Sequence, residues 1–304
     1  MTTTAQLTVG NQQLPVSNLR KVFYPKTGFT KGEVIDYYIN IAPWLLPHLK
    51  NRPVTLKRYP DGVDGEYFYE KHCPAHKPDW IKTVNVPKTA GSVDYCVINS
   101  LPSLVWAANL ASLELHTFLH TAPRLDRPKV VAFDLDPGKP ATIIDCCVVA
   151  LQLKKLFDQL NLESFPKTSG SKGLQVYLPL NSSTRYEATK EFARQVAAAL
   201  EQQLPNLVVA RMAKELRAGK VFIDWSQNDA HKTTVNVYSL RGKELPSVST
   251  PVTWREVRAA AKTKKPAQLM FTPHDVIKRA RKSGDLFLPV LSLKQRLPGG
   301  LASM

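Results

Sequence analysis

Val130-Val131-Ala132-Phe133-Asp134-Leu135-Asp136-Pro137-Gly138 runs four strand-favouring residues into two acids and then a Pro-Gly break. Side chains two apart in a strand share a face. Asp134 and Asp136 should therefore project together from a strand end, and like charges that close raise each other's pKa. A divalent cation between them is one remedy; a solvated pair at a turn is the bland alternative. Downstream, Val221-Phe222-Ile223-Asp224-Trp225 repeats the pattern and adds a third acid. Three carboxylates on strand ends offer the oxygen ligands that Mg²⁺ or Mn²⁺ take. Two such ions can clamp the attacking and leaving oxygens of a phosphoryl displacement. Between the acid strands lies Thr168-Ser169-Gly170-Ser171-Lys172-Gly173. Its small residues let backbone N–H groups approach a phosphate, and it adds hydroxyls and a cation. It lacks the spacing of a Walker A loop.

The remaining composition sets limits. The 304 residues suffice for one large domain or two modest ones. Lys and Arg outnumber Asp and Glu by 41 to 25, a net charge of +16, which attracts polyanions and points to nucleic acid. The excess is spread along the chain, so it is no basic tail. No apolar run reaches 18 residues, so no membrane span is expected. Met1-Thr2-Thr3-Thr4-Ala5 lacks the basic and apolar regions of a signal peptide, and a cytoplasmic protein is expected. Cys73, Cys96, Cys146 and Cys147 form no C-x-x-C, which fits reduced thiols. Cys73-x-x-His76, beside His72, is half of a zinc spacing with no matching second half, since Cys96 stands alone.

Along the chain, residues 5–16 read as a short strand and turn, and 19–28 as a cation-studded loop. Thr30-Lys31-Gly32-Glu33 is a capping-box pattern opening a helix, with Pro43 and Pro47 flanking a second short helical piece. Pro53–Pro60 is a strand ending in the cations Lys57 and Arg58. Glu66-Tyr67-Phe68-Tyr69-Glu70-Lys71 is an aromatic strand, and 84–95 a hairpin loop. Leu101 to His116 carries a helical pattern, as do 141–160, 186–204 and 255–265. Leu174–Leu178 is a strand, 211–220 a basic loop. Strands alternate with helices, which leaves α/β and α+β open.

Three motifs in order give the chain a family likeness. Phe-Asp-Leu-Asp-Pro-Gly, then Thr-Ser-Gly-Ser-Lys-Gly-Leu-x-Val-Tyr-x-Pro-Leu, then Leu-Arg-Ala-Gly-Lys-Val-Phe-Ile-Asp-Trp-Ser-Gln-Asn closely resemble the polymerase domain of bacterial ligase D, a non-homologous end-joining enzyme of the archaeo-eukaryotic primase superfamily. The resemblance extends over nearly the whole chain. It implies an α+β fold: a primase-like catalytic core with an RRM-like sheet and an N-terminal α/β unit packed against it. A catalytic domain over 1–296, made of two interleaved subdomains, would be followed by a linker or tail at 297–304.

The resemblance also implies roles. Asp134, Asp136 and Asp224 match the catalytic, metal-binding carboxylates, for a two-metal site of Mn²⁺ or Mg²⁺ with NTP or dNTP as substrate. Ser171, Lys172 and Gly173 match the triphosphate loop, Arg241 a further triphosphate-side cation, and His116 the histidine near the ribose, where ribonucleotides are preferred. Lys57 and Arg58 match a basic pair near the cleft. Lys21 and Lys31 match the cations that grip a 5′-phosphate at a DNA break. Phe68 and Tyr67 look like the pair that stacks on the template, and Arg217 lies in a loop that places the primer terminus. The 84–95 segment resembles a loop that pairs two DNA ends. The implied partners are gapped or 3′-overhanging DNA, NTPs, Ku, a ligase domain and a second copy bridged by DNA, in a bacterial cytoplasm near the nucleoid. Gln175 departs from the pattern, standing where the family usually has histidine on the triphosphate side; it can donate a hydrogen bond but carries no charge.

Two other readings remain from the residues. Asp134-Leu-Asp136-Pro-Gly138 mimics the nucleophile motif of haloacid-dehalogenase-like phosphatases, which place it early in a Rossmann-like domain. A non-catalytic DNA end-binding module would bind without turnover.

Overall fold

The computed structural model describes residues 4–298; the tail expected at 297–304 lies outside them from Gly299 onward. The chain forms two units. The first takes the chain up to Phe118 with Thr233–Ser249 and Phe271–Asp285. The second takes Leu119–Lys232, Thr250–Met270 and the chain from Leu286.

In the first unit the helix Lys31–Leu49 starts where the capping box places it. The Thr30 hydroxyl accepts from the Glu33 N–H at 3.3 Å, and the Glu33 carboxylate accepts from the Thr30 N–H at 2.7 Å. Val34, Tyr37, Tyr38, Ile41 and Leu45 are buried at helical spacing. The helix continues through Pro43 and Pro47, so no second piece is formed. Each proline forfeits one backbone bond, and the buried apolar face outweighs that loss.

The first unit's main sheet centres on Pro53–Arg58. Ser112–Thr117 pairs along one side, setting Thr55 opposite His116 and Lys57 opposite Glu114. Ser92–Val97 and Phe68–Glu70 share the other side, while Thr83–Pro87 and Thr234–Val235 complete the sheet. The expected hairpin at 84–95 is therefore a sheet hairpin. The helix expected from Leu101 to His116 ends at Asn109, and Ser112–Thr117 is a strand. Ala111, at φ 62°, reverses the chain, and the period-2 text Leu113-Glu114-Leu115-His116 then suits a strand. Cys73 and Cys96 form a disulfide, Cα to Cα 4.9 Å. This corrects the reading of Cys96 as solitary and of Cys73 as half a zinc site: 23 residues separate the pair in sequence, and the sheet brings them together. Cys146 and Cys147 are free and buried.

The second unit is built on a five-stranded sheet in the order Phe165–Thr168, Leu174–Pro179, Val130–Pro137, Val221–Asp224, Val208–Val209. The acid-bearing strand is central and antiparallel to both neighbours. Val131, Phe133 and Leu135 are fully buried on one face. There Phe133 packs on Phe157 of the helix Ile143–Gln159, which stacks on Phe192 of the helix Tyr186–Gln203. Asp134 and Asp136 alternate onto the other face and are half-buried. Burying a phenylalanine contributes about 2–3 kcal/mol. A one-residue slip would expose three such side chains and bury both acids, so the register is firmly set. The strand runs on to Pro137, so the acids lie inside it rather than at its end.

Candidate active site

In the second unit the pairing register assembles the acids. Asp134 lies opposite Gln175 on one neighbour and opposite Asp224 on the other; Asp136 lies opposite Phe222. Asp134 is pushed up to about 6. Burial is the largest cause, and Asp224 and Asp136 add to it. A hydrogen bond from the Gln175 side chain and the charge of Lys167 pull the other way. Lys167 itself is wholly buried in Phe165–Thr168; nothing in the sequence marked it out.

The other two carboxylates are held by neighbours. Asp136 Oδ1 pairs with Lys172 Nζ at 3.0 Å. Asp224 Oδ1 accepts from the Ser226 N–H at 3.0 Å and from the Ser226 hydroxyl, and Oδ2 accepts from Gln227 Nε2 at 3.0 Å. Among the described residues, no three His, Cys, Asp or Glu side chains converge closely enough to hold a metal. By donor chemistry, however, the set fits a hard divalent cation: three carboxylates on neighbouring strands, one of them raised by burial and by the charge of the other two.

The Ser169–Gly173 turn differs from the phosphate cradle expected of it. The Ser169 hydroxyl accepts from the N–H groups of Ser171 and Gly173, at 3.2 and 3.1 Å. Those two donors are turned inward, which leaves the exposed Ser171 and Lys172 side chains as the groups a phosphate could meet. Gly173 is required, since a Cβ there would stand 2.2 Å from the Leu135 carbonyl oxygen. Arg217 has its guanidinium 3.7 Å from the Phe222 ring centroid and donates to the Met212 carbonyl at 2.7 Å. Its own backbone abuts the acid strand's turn, where a Cβ on Gly138 would meet the Arg217 carbonyl oxygen at 1.9 Å.

The first unit gathers His116, Arg241 and Lys57 around a residue to which the sequence reading gave no role. Glu114 is wholly buried. Its Oε1 accepts from the Tyr59 hydroxyl at 2.9 Å and the Gly242 N–H at 3.1 Å, with Lys57 Nζ at 3.4 Å. Its Oε2 meets His116 Nε2 at 2.9 Å and Arg241 Nε at 3.1 Å. Despite burial, these donors and cations hold the Glu114 carboxyl well below the usual range. Burial pushes His116 down, against the pull of Glu114, which favours a neutral ring. Gly242 admits no side chain, because a Cβ would stand 2.1 Å from the Tyr59 ring. The strand alternation of Glu114 and His116 was the available signal.

The aromatic stretch divides between two faces. Tyr67 and Tyr69 flank Lys57, whose Nζ lies 3.9 and 5.3 Å from their centroids, and Tyr69 stands edge-on to His116 at 5.8 Å. Phe68 packs instead on Arg58, which pairs with Glu70 and donates to the Leu110 carbonyl. Phe68 and Tyr67 therefore do not form one stacking surface, although both rings remain exposed, at 44% and 53%. Lys21 pairs with Asp61 at 2.6 Å. Lys31 is buried beside Ser17, and burial, with Lys21 and Arg58 nearby, lowers it to about 8.

Comparison with known proteins gives the fold its class: a nucleotidyltransferase of the DNA polymerase and primase kind, on an archaeo-eukaryotic primase-like fold. More narrowly, the chain belongs to the LigD primase-polymerase domain family, whose model matches residues 30–287. It is 42% identical over 281 residues to the multifunctional non-homologous end joining protein LigD of Mycolicibacterium smegmatis, covering 92% of this chain and 36% of that protein. It is 34% identical to the bifunctional LigD of Bacillus subtilis, covering 90% of this chain and 43% of that one. The chain thus spans well under half the length of these relatives. The polymerase domain from Mycobacterium tuberculosis ligase D, in complex with DNA, superposes with a TM-score of 0.86 at 37% identity, covering 94% of this chain and all of that one. The haloacid-dehalogenase-like alternative falls: it needs a Rossmann-like setting, and here the acid strand is antiparallel to both neighbours.

Proposed function

We propose that the chain extends a DNA primer by template-directed, metal-dependent nucleotidyl transfer at gaps and broken ends, preferring ribonucleotides and recognising a 5′-phosphate. The observation that carries the reading is the placement of Asp134 beside Asp224 and two residues from Asp136, with Asp134 raised by burial and, after it, by their charge. Asp134, Asp136 and Asp224 would hold Mg²⁺ or Mn²⁺. Bound there, such a cation would supply the positive charge that offsets the charge developing in phosphoryl transfer. The primer 3′-hydroxyl attacks the α-phosphate, and pyrophosphate leaves. Lys172 exchanges Asp136 for the triphosphate, with Ser171 beside it. Arg241 is assigned to the triphosphate and His116 to the ribose. Gln175 steadies the Asp134 carboxylate rather than adding charge to the triphosphate side. Lys57 and Arg58 serve through what they hold, Lys57 within the tyrosine cluster and Arg58 beneath Phe68.

Lys21 and Lys31 are assigned to the 5′-phosphate, the exposed rings of Phe68 and Tyr67 to template bases, Arg217 to the primer terminus, and the 84–95 hairpin to the pairing of ends. Ku, a ligase domain and a second, DNA-bridged copy are the proposed partners.

The test is primer extension on 5′-phosphorylated gapped DNA, with NTP against dNTP and Mn²⁺ against Mg²⁺. Asp134→Ala should abolish extension and leave DNA binding largely intact. Parent-like extension by that variant would remove the acids from the chemistry. DNA binding without turnover in the parent would favour a non-catalytic end-binding module.

A further inference from the structure

We infer that Glu114 is a positioning residue that fixes the proton on His116 Nε2 and so leaves Nδ1 as an acceptor for a hydroxyl of the nucleotide sugar. The inference rests on the proposed reading that His116 faces the ribose. The first observation is the count of donors. An ionised carboxylate offers only acceptor sites, and Glu114 meets Tyr59, Gly242 and Lys57 through one oxygen and His116 and Arg241 through the other. Three of these, the Gly242 N–H, the Lys57 ammonium and the Arg241 guanidinium, can only donate. Two cations and a backbone N–H set against one buried carboxyl favour its ionised form over a protonated one that donates to His116. Glu114 is therefore anionic, and at 2.9 Å its Oε2 requires a hydrogen on His116 Nε2.

Second, burial lowers His116, which favours a neutral ring. A neutral imidazole carries one N–H, so with Nε2 protonated, Nδ1 has a lone pair to offer. A ribose hydroxyl can donate to that lone pair. A deoxyribose lacks one of the two hydroxyls that could do so. Discrimination between the sugars thus depends on a buried carboxylate that need not touch the substrate. Tyr69, edge-on to His116, limits the ring's freedom to turn.

The decisive variant is Glu114→Gln, which keeps the shape and changes one oxygen to an NH₂. The remaining oxygen stays with the Gly242 N–H and the Tyr59 hydroxyl, because the reverse orientation sets NH₂ against two donors, Gly242 and Lys57, and this one against Arg241 alone. The NH₂ then faces His116 Nε2, which becomes an acceptor, and the proton moves to Nδ1. Long-range ¹H–¹⁵N NMR on histidine-labelled protein reads this directly, with His116→Ala assigning the signal. The parent should show the Nε2–H tautomer and Glu114→Gln the Nδ1–H tautomer. Glu114→Asp, which keeps the charge, should retain the Nε2–H form and guards against a Gln variant that fails to fold.

In primer extension, Glu114→Gln should raise the NTP KM about tenfold, the worth of roughly one hydrogen bond. The dNTP KM should rise about twofold or less and kcat change little. An unchanged tautomer overturns the proposal, as do equal KM losses for NTP and dNTP. The NMR result does not depend on turnover. An Nε2–H parent with no extension of any primer would therefore sink the nucleotidyl-transfer reading while leaving the Glu114–His116 arrangement standing.

Discussion

Asp134 carries the largest conflict between stability and use in the second unit. Its carboxyl is raised from an ordinary 3.8 to about 6 by burial and by two acids of the same sign. A group whose pKa is higher in the folded state than in the unfolded chain stabilises the fold when protonated. That stability is complete below the unfolded value and is lost as pH rises through the folded one. At pH 7 the ionised form therefore works against folding, by about 3 kcal/mol. Asp134→Asn should remove that cost, since its carbonyl still accepts from Gln175. In EDTA, urea denaturation at pH 7 should find the variant more stable by about 3 kcal/mol. The gap should close as the pH is lowered toward 4, where the parent is protonated. A variant less stable than the parent at pH 7 would mean that Asp134 is already compensated by its neighbours and has no charge left for a metal to balance.

At the scale of elements, the acid strand is held by more than its ladder. Beyond the Asp134–Asp224 pair, the carboxamide of the buried Asn228 takes over. Oδ1 accepts from the Ala132 N–H at 2.9 Å, and Nδ2 donates to the Ala132 carbonyl at 2.8 Å and the Trp225 carbonyl at 2.9 Å. Asn228→Ala leaves a buried N–H and C=O of the central strand without this partner. The expected loss is about 3 kcal/mol, read as a lower urea midpoint, with extension falling as the strand frays. A loss below about 1 kcal/mol would show that water replaces the carboxamide. What could be read in advance follows from locality. Phe133-Asp134-Leu135-Asp136 and Ile223-Asp224 were legible because a strand's alternation is written in adjacent residues. The end of the Leu101 helix was not, because Ala111 reverses the chain without the glycine that would announce it. The Glu114 cluster escaped for another reason. Its donors come from Lys57 and Tyr59, from His116, and from Arg241 and Gly242, three stretches that only the folded chain brings together.

At the scale of the whole molecule, a charge of +16 makes any DNA binding a matter of salt as much as of contact. Each phosphate neutralised releases counterions, so the logarithm of the binding constant should fall linearly with the logarithm of salt, with a slope of about −0.9 per contact on duplex DNA. If Lys21 and Lys31 hold a 5′-phosphate, Lys21→Ala and Lys31→Met should each make that slope shallower by about one. Methionine keeps the apolar stem that Lys31 buries. The two cations differ in a way that pH exposes. Lys31 is lowered to about 8 by burial and by Lys21 and Arg58, so it is mostly charged at pH 7 and mostly neutral at pH 9. A bound phosphate would favour the charged form. The advantage of 5′-phosphorylated over 5′-hydroxyl gapped DNA should therefore shrink between pH 7 and pH 9 in the parent, by about tenfold, and stay flat in Lys31→Met. Fluorescence anisotropy at fixed salt measures both. A parent whose 5′-phosphate preference does not move with pH would leave Lys31 as a buried structural cation, and the phosphate would have to be sought elsewhere on the basic surface.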